Sequence, residues 1–140
     1  MFAASPPLEA KTMLFSMAVT EGIGHQSGHP EDGIKIDFTD ISRAYFQADA
    51  IRDMYVQLPD EDWEEGMCGR LLKSMYGTRD AAQNWEAAYS NLLVLNGFTQ
   101  GKSTPCMFYH RGRKLRVVVH GDDFTLLGSE GALDWFRSLI

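Results

Sequence analysis

Asp122 and Asp123 stand side by side between two apolar runs, Leu115-Arg116-Val117-Val118-Val119-His120 and Phe124-Thr125-Leu126-Leu127. Gly121 precedes them, and the pattern reads as a β-hairpin with two carboxylates at its tip. Adjacent like charges on a rigid element repel, and a divalent cation relieves the repulsion. A third carboxylate, Asp40, closes the alternating segment Ile34-Lys35-Ile36-Asp37-Phe38-Thr39. If that strand neighbours the hairpin, three hard oxygen donors meet at one sheet edge. Such a set suits Mg²⁺, which keeps some waters and takes further ligands from phosphates. Two such ions about 4 Å apart would serve an in-line phosphoryl displacement. Asp-Asp after glycine is also an ordinary hairpin turn, and aspartate is an ordinary strand end. Spacing alone leaves both readings open.

The elements that must position these residues follow from periodicity. Leu8 to Thr20 has Ala10, Met13, Leu14, Met17 and Ala18 on one helical face. Residues 21–33, rich in glycine, form a loop. The segment ending at Asp40 alternates with period two and predicts a half-buried strand. Ser42 to Ala48 suits a short helical turn, Met54 to Leu58 a short strand stopped by Pro59, and Asp60 to Gly66 an exposed acidic turn. A helix is expected over Arg79 to Asn96, with Thr78 or Asp80 at its start and Asn96-Gly97 at its end. Trp85 and Tyr89 belong to its core stripe. Met107 to Tyr109 is a short strand, the hairpin follows, and a last helix covers Ala132 to Ile140. The order predicts an α+β fold, an antiparallel sheet with helices packed on one face. A split βαβ arrangement calls for another strand after the last helix, so the chain is expected to be cut off.

The 140 residues suit one domain, and 44% hydrophobic content is enough for a core. No apolar run is long enough for a membrane span, and the N-terminus lacks a secretory pattern. These features point to an intracellular protein without a membrane partner. Cys68 and Cys106 lack metal-ligand spacing, and His25 and His29 have no third ligand nearby for zinc. The net charge of −6 argues against a self-sufficient nucleic-acid binder.

Four blocks, in order, resemble copia-type (Ty1/copia) retrotransposon reverse transcriptases. Asp40-Ile41-Ser42-Arg43-Ala44-Tyr45-Phe46-Gln47-Ala48-Asp49, continuing to Asp53-Met54-Tyr55-Val56-Gln57-Leu58-Pro59, is similar to that family's first catalytic block. Leu72-Lys73-Ser74-Met75-Tyr76-Gly77-Thr78-Arg79-Asp80-Ala81-Ala82-Gln83-Asn84-Trp85 resembles its K-S-L-Y-G-L-K-Q-A-P-R-x-W block. Asn96-Gly97-Phe98 with Pro105-Cys106-Met107-Phe108 resembles its N-G-F and D-x-C-x-F elements, and His120-Gly121-Asp122-Asp123 falls where the family has Y-V-D-D. Together they span residues 34–128 and are specific jointly rather than singly.

The resemblance implies the ferredoxin-like palm of an RNA-directed DNA polymerase, part of a Pol polyprotein. The whole of 1–140 would be a partial reverse transcriptase domain, the palm with part of the fingers. Asp40, Asp122 and Asp123 would hold two Mg²⁺ ions, with Mn²⁺ a possible substitute. Backbone groups of Ile41 would lie near metal and triphosphate. Tyr45 matches a steric gate that excludes a ribose 2′-hydroxyl. Tyr76 and Gly77 would line the nucleotide pocket, and Arg79 would reach its phosphates. The implied partners are template, primer and dNTPs, together with the fingers, thumb and RNase H segments of the parent polyprotein. The implied location is a cytoplasmic virus-like particle or the nucleus. Absence of the basic segments that grip nucleic acid would account for the −6 charge.

The chain departs from the family at His120, Gly121, Ala82 and Thr104, none of them an implied metal ligand. Two rivals stand beside this reading. One is an inactive or domesticated remnant serving as a binding module; the other is a cyclase-like two-metal enzyme on a related sheet.

Overall fold

The computed structural model describes residues 5–21 and 33–140. The glycine-rich loop expected at 21–33, with His25 and His29, lies almost wholly outside the described residues. The elements run α1 (Leu8–Glu21), β1 (Ile34–Asp40), a 3-10 turn (Ala44–Gln47), β2 (Tyr55–Val56), a second 3-10 turn (Asp60–Asp62) and β3 (Gly69–Arg70). Then follow α2 (Ala81–Leu95), β4 (Phe98–Gln100), β5 (Met107–His110), β6 (Leu115–His120), β7 (Asp123–Ser129) and α3 (Glu130–Leu139). The described residues divide into two compact units, one comprising 43–89 and the other 5–21, 33–42 and 90–140.

The second unit holds a five-stranded antiparallel sheet in the order β1-β7-β6-β5-β4. The α+β class and the antiparallel hairpin are as the sequence predicts. The helices of this unit differ from expectation, because α1 and α3 pack on opposite faces of the sheet. Ala10, Leu14 and Ala18 of α1 are buried against Val118 and Leu127, with Ile34, Ile36 and Met107 beside them. Alternation turns Val119 and Phe124 to the other face, where the Phe124 ring lies 5.9 Å from Phe136 of α3 and Phe98 lies 6.1 Å from it. On that face Lys35 pairs with Glu130, and Arg137 bridges Asp37 at 2.9 Å and Asp134 at 2.6 Å. The even-numbered side of β1 and the odd-numbered side of β7 thus share the α1 face.

The first unit is built around a two-stranded ribbon, β2 with β3, and the 3-10 turn at Ala44–Gln47. Its polar junction is buried and satisfied. The Ser74 N–H donates to the Ala48 carbonyl at 2.8 Å, its hydroxyl donates to the Asp49 carbonyl, and the Asn84 amide donates to the Ser74 hydroxyl at 2.9 Å. A buried polar group left without such partners would be costly, so this network fixes the chain path from residue 48 to residue 74. The side chains of Thr78 and Asp80 are engaged away from the start of α2. The Thr78 hydroxyl donates to the Met75 carbonyl, and Asp80 accepts two bonds from the Arg52 guanidinium, at 2.9 and 3.0 Å. That bonding holds the Asp80 carboxyl below the usual carboxylate range. Gly97, with φ of +90°, ends α2 as expected.

Neither cysteine is in a disulfide; Cys106 is buried and Cys68 exposed. Among the described residues, no helix is long and apolar enough to cross a membrane.

Candidate functional site

Antiparallel pairing of β1 with β7 sets the site. Register places Asp40, the last residue of β1, directly opposite Asp123, the first of β7. His120, the last residue of β6, lies opposite Asp123 on its other side. The turn between β6 and β7 is Gly121-Asp122, and Gly121 has φ of +67°, a conformation that L side chains adopt only with strain. No atom lies within 4 Å of where a Gly121 Cβ would stand, so the requirement for glycine there comes from the backbone and not from crowding. One further bond ties the turn down: the Ile41 N–H donates to the Asp122 carbonyl at 3.0 Å. That commits the Ile41 amide and fixes the backbone of Asp122 against β1.

Asp40, Asp122 and Asp123 accordingly each offer a carboxylate oxygen within 4.8 Å of the others. Among the described residues they form the one cluster of three or more acidic, cysteine or histidine side chains with metal-ligand proximity. Asp40 and Asp123 are exposed and Asp122 is half-buried. Like charges directly opposite on paired strands destabilise a sheet. Three all-oxygen anionic donors with open sides have the chemistry of a site for a hard divalent cation that retains waters. A cleft of about 170 Å³ adjoins Asp40 and Asp123, lined by Lys11, Phe38, Thr39, Phe124 and Thr125.

Lys11 is the residue at this site that sequence reasoning missed. It comes from α1, and no spacing rule connects it to Asp40; only the packing of α1 on this face does. Phe38 is likewise unusual, an aromatic side chain 66% exposed on the acidic side of β1, with Phe15 of α1 at 6.4 Å.

The remaining residues singled out from the sequence lie in the first unit. Tyr45, in the 3-10 turn, stacks on Tyr76 with ring centroids 4.3 Å apart and planes at 24°. Phe46 meets the same Tyr76 ring edge-on at 5.6 Å. The buried Ser74–Asn84 junction just described holds the two segments that carry this aromatic cluster. Arg43, which precedes the turn, has φ of +55° without being glycine. Gly77 follows Tyr76, and Arg79 is exposed two residues before α2. Trp85 and Tyr89 are buried with rings 5.5 Å apart, as core residues should be.

The acidic triad carries a direct physical consequence. In EDTA, Asp123→Asn should raise the melting temperature by a few degrees, corresponding to repulsion of on the order of 1 kcal/mol between exposed charges. Millimolar Mg²⁺ should then raise the melting temperature of the parent chain and have a much smaller effect on the variant. Equal shifts measured by calorimetry would place the ion elsewhere.

Residues 29–137 match the family model described as reverse transcriptase (RNA-dependent DNA polymerase). The chain is 28% identical over 100 residues to the Retrovirus-related Pol polyprotein from transposon RE1 of Arabidopsis thaliana, covering 67% of this chain and 7% of that protein. It is 21% identical over 106 residues to the Retrovirus-related Pol polyprotein from transposon TNT 1-94 of Nicotiana tabacum, covering 71% and 8%. The Transposon Ty1-DR5 Gag-Pol polyprotein of Saccharomyces cerevisiae is 28% identical over 92 residues, 65% of this chain and 5% of its own length. The chain therefore spans less than a tenth of these relatives. No solved structure matches it. The family match covers both the strand that ends in Asp40 and the hairpin that carries Asp122 and Asp123, and the chain belongs to the reverse transcriptase (RNA-dependent DNA polymerase) family, in its copia-type branch.

Proposed function

We propose that this chain is the palm portion of a copia-type RNA-directed DNA polymerase, 1–140 being part of a larger reverse transcriptase domain in a Pol polyprotein. The observation that carries the proposal is the approach of Asp40, Asp122 and Asp123 to within 4.8 Å across the β1–β7 pairing. In this reading the three carboxylates hold two Mg²⁺ ions, with Mn²⁺ able to replace them. The chemistry such ions supply when bound is charge compensation at the attacking and leaving oxygens of a phosphoryl displacement. The reaction is attack of a primer 3′-hydroxyl on the α-phosphate of a dNTP, with pyrophosphate leaving. Template, primer and dNTPs are the partners.

The chain's own residues contribute position. Asp122 and Asp123 sit on a turn tied to β1 by the Ile41 amide, so two of the three ligands move as one rigid piece. That rigidity is what lets oriented charges act without reorganisation during reaction. Ile41, Tyr45, Tyr76, Gly77 and Arg79 are assigned to the incoming nucleotide, the Ile41 contribution being limited to its carbonyl because its N–H is already bonded.

Tyr45 is assigned to exclusion of the ribose 2′-hydroxyl. The stack on Tyr76 at 4.3 Å supports this, since ring packing restrains the Tyr45 side chain in one orientation. Tyr45→Val should therefore raise incorporation of ribonucleotides relative to deoxynucleotides by about tenfold or more, the range expected when an excluding contact is removed. Unchanged selectivity in competition assays would remove the assignment.

The deciding experiment is templated primer extension. The chain should be assayed alone and grafted into the Arabidopsis RE1 polyprotein in place of the 100 residues it matches. Extension that requires template, primer and a divalent cation supports the proposal. Cation-dependent turnover of nucleotide without a template would identify a cyclase-like enzyme instead, and no turnover in the graft would identify an inactive remnant.

A further inference from the structure

We infer that Lys11 and Thr125 form a phosphate seat beside the acidic triad, holding one phosphate group between themselves and the divalent cation. The seat rests on the polymerase reading for that cation. Neither residue is among those assigned above to metal or nucleotide. Thr125 is only 2% exposed and lies on the α1 face, two residues beyond Asp123. Its cross-strand neighbours are Phe38 and Val118, which have no polar atom in their side chains. Among the described residues its hydroxyl makes no hydrogen bond. No sealed-off side-chain nitrogen or oxygen lacks a partner, so the hydroxyl opens on the cleft that Thr125 lines. Packing alone favours valine at such a position, and an unbonded hydroxyl there costs free energy that a ligand would recover.

Lys11 lines the same cleft from the other side. It is half-buried, and it shares the sheet-facing stripe of α1 with Leu14 and Ala18. Packing of Ala10 and Leu14 on Val118 and Leu127 fixes the helix at that point. Service as a plain counter-ion does not account for it. Lys35 closes on Glu130, and Lys73 closes on Asp49 at 2.6 Å. Lys11 stands in one cleft with Asp40 and Asp123, yet among the described residues it pairs with neither. Once a divalent cation occupies those carboxylates, an ammonium group beside it is repelled unless an anion stands between the two.

Size selects the anion. The cleft of about 170 Å³ equals about five or six waters at about 30 Å³ each. That is room for one phosphate and the waters of an ion, and too little for a sugar with its base. Asp123 and Thr125 are about 7 Å apart along β7, at about 3.4 Å per residue. A phosphate bound to the cation through one oxygen and to the Thr125 hydroxyl through another spans such a gap. Its remaining charge faces Lys11. The phosphate can belong to a nucleotide or to a nucleic-acid backbone; the recognising chemistry is the same.

The test is calorimetric titration of the intact chain with inorganic phosphate, dATP and the dinucleotide TpT, each in Mg²⁺ and in EDTA. Inorganic phosphate should bind in Mg²⁺ and lose affinity in EDTA. Lys11→Gln should weaken it about tenfold or more, the scale of one charge-assisted hydrogen bond, and Lys11→Arg should restore most of the loss. Thr125→Val should weaken it about fivefold and leave the melting temperature equal or higher, which loss of a structural hydrogen bond would not do. Substoichiometric Mn²⁺ should broaden the phosphorus resonance of inorganic phosphate with the parent chain and much less with Lys11→Gln. Tighter binding of dATP than of TpT identifies the nucleotide as the source, and the reverse identifies the backbone. Mg²⁺ binding that Asp123→Asn abolishes, together with phosphate affinity unmoved by Lys11→Gln and Thr125→Val, overturns the seat and leaves the polymerase reading standing. Absence of Mg²⁺ binding at the triad, with phosphate affinity still falling tenfold in Lys11→Gln, overturns the polymerase reading and leaves Lys11 and Thr125 as a phosphate site.

Discussion

Asp122→Asn should reduce templated primer extension by about a thousandfold while leaving the fold intact. Charge stabilisation at a metal-supported phosphoryl transfer is worth several kcal/mol, and a loss of about 4 kcal/mol corresponds to about three powers of ten in rate. Asn keeps the volume of Asp and one oxygen, so the turn geometry survives. The Asp122 backbone, which accepts from Ile41 at 3.0 Å, is untouched. What disappears is one of three anionic donors. The signature is the opposition of two readouts. Activity collapses, yet stability in EDTA holds or rises, because one carboxylate fewer crowds the tip. A residue whose role was only structural would lower both. Steady-state extension with a gapless RNA template, paired with thermal unfolding of the same preparations, separates the cases. Retention of even a tenth of the rate would remove Asp122 from the reaction.

The convergence of that triad was legible because it depends on two short-range rules. Strict alternation from Ile34 to Asp40 fixes which side of the strand each residue occupies, and a glycine before paired aspartates fixes a turn. Antiparallel pairing of two such segments then leaves few registers that bury Ile36 beside Leu127. Asp40 opposite Asp123 follows from that burial. The family blocks supplied the pairing partner, which no local rule provides.

Other features were illegible for identifiable reasons. The stripe on α1 marks a buried face but carries no information about which side of a sheet receives it. Ala10, Leu14 and Ala18 chose the side with Val118, and with that choice Lys11 arrived at the acidic cleft. The strand β4 has three residues, too short for a period to show, and β3 has two. Asp80 reads as a helix start in sequence, but Arg52, twenty-eight positions earlier, takes its carboxylate through two hydrogen bonds. Local chemistry offered a cap, and a stronger charge-assisted partner used the group elsewhere.

Phe136→Ala should cost about 3–5 kcal/mol, the range for deleting a fully buried phenylalanine. For a domain of ordinary stability, about 5–15 kcal/mol, that is a large share of the whole. Phe136 is fully buried, and its ring meets Phe124 at 5.9 Å and Phe98 at 6.1 Å. It therefore joins α3 to strands at both ends of the sheet's later half, β7 and β4. Loss of the ring leaves a cavity beneath Phe124, the residue next to Asp123. The partly exposed ion pairs Lys35–Glu130 and Arg137–Asp37 cannot compensate, since pairs open to solvent contribute little singly. The consequence reaches the site through β7: with α3 loosened, the register that sets Asp123 against Asp40 loses support on the face away from α1. Phe136→Ala should thus lower the denaturation midpoint and diminish the Mg²⁺-dependent rise in melting temperature. Phe136→Leu, which refills most of the volume, should recover most of both. A loss under about 1 kcal/mol for the alanine variant in urea titration would mean that α3 does not pack on β7 in this way. Asp123 would then owe its position to the α1 face alone.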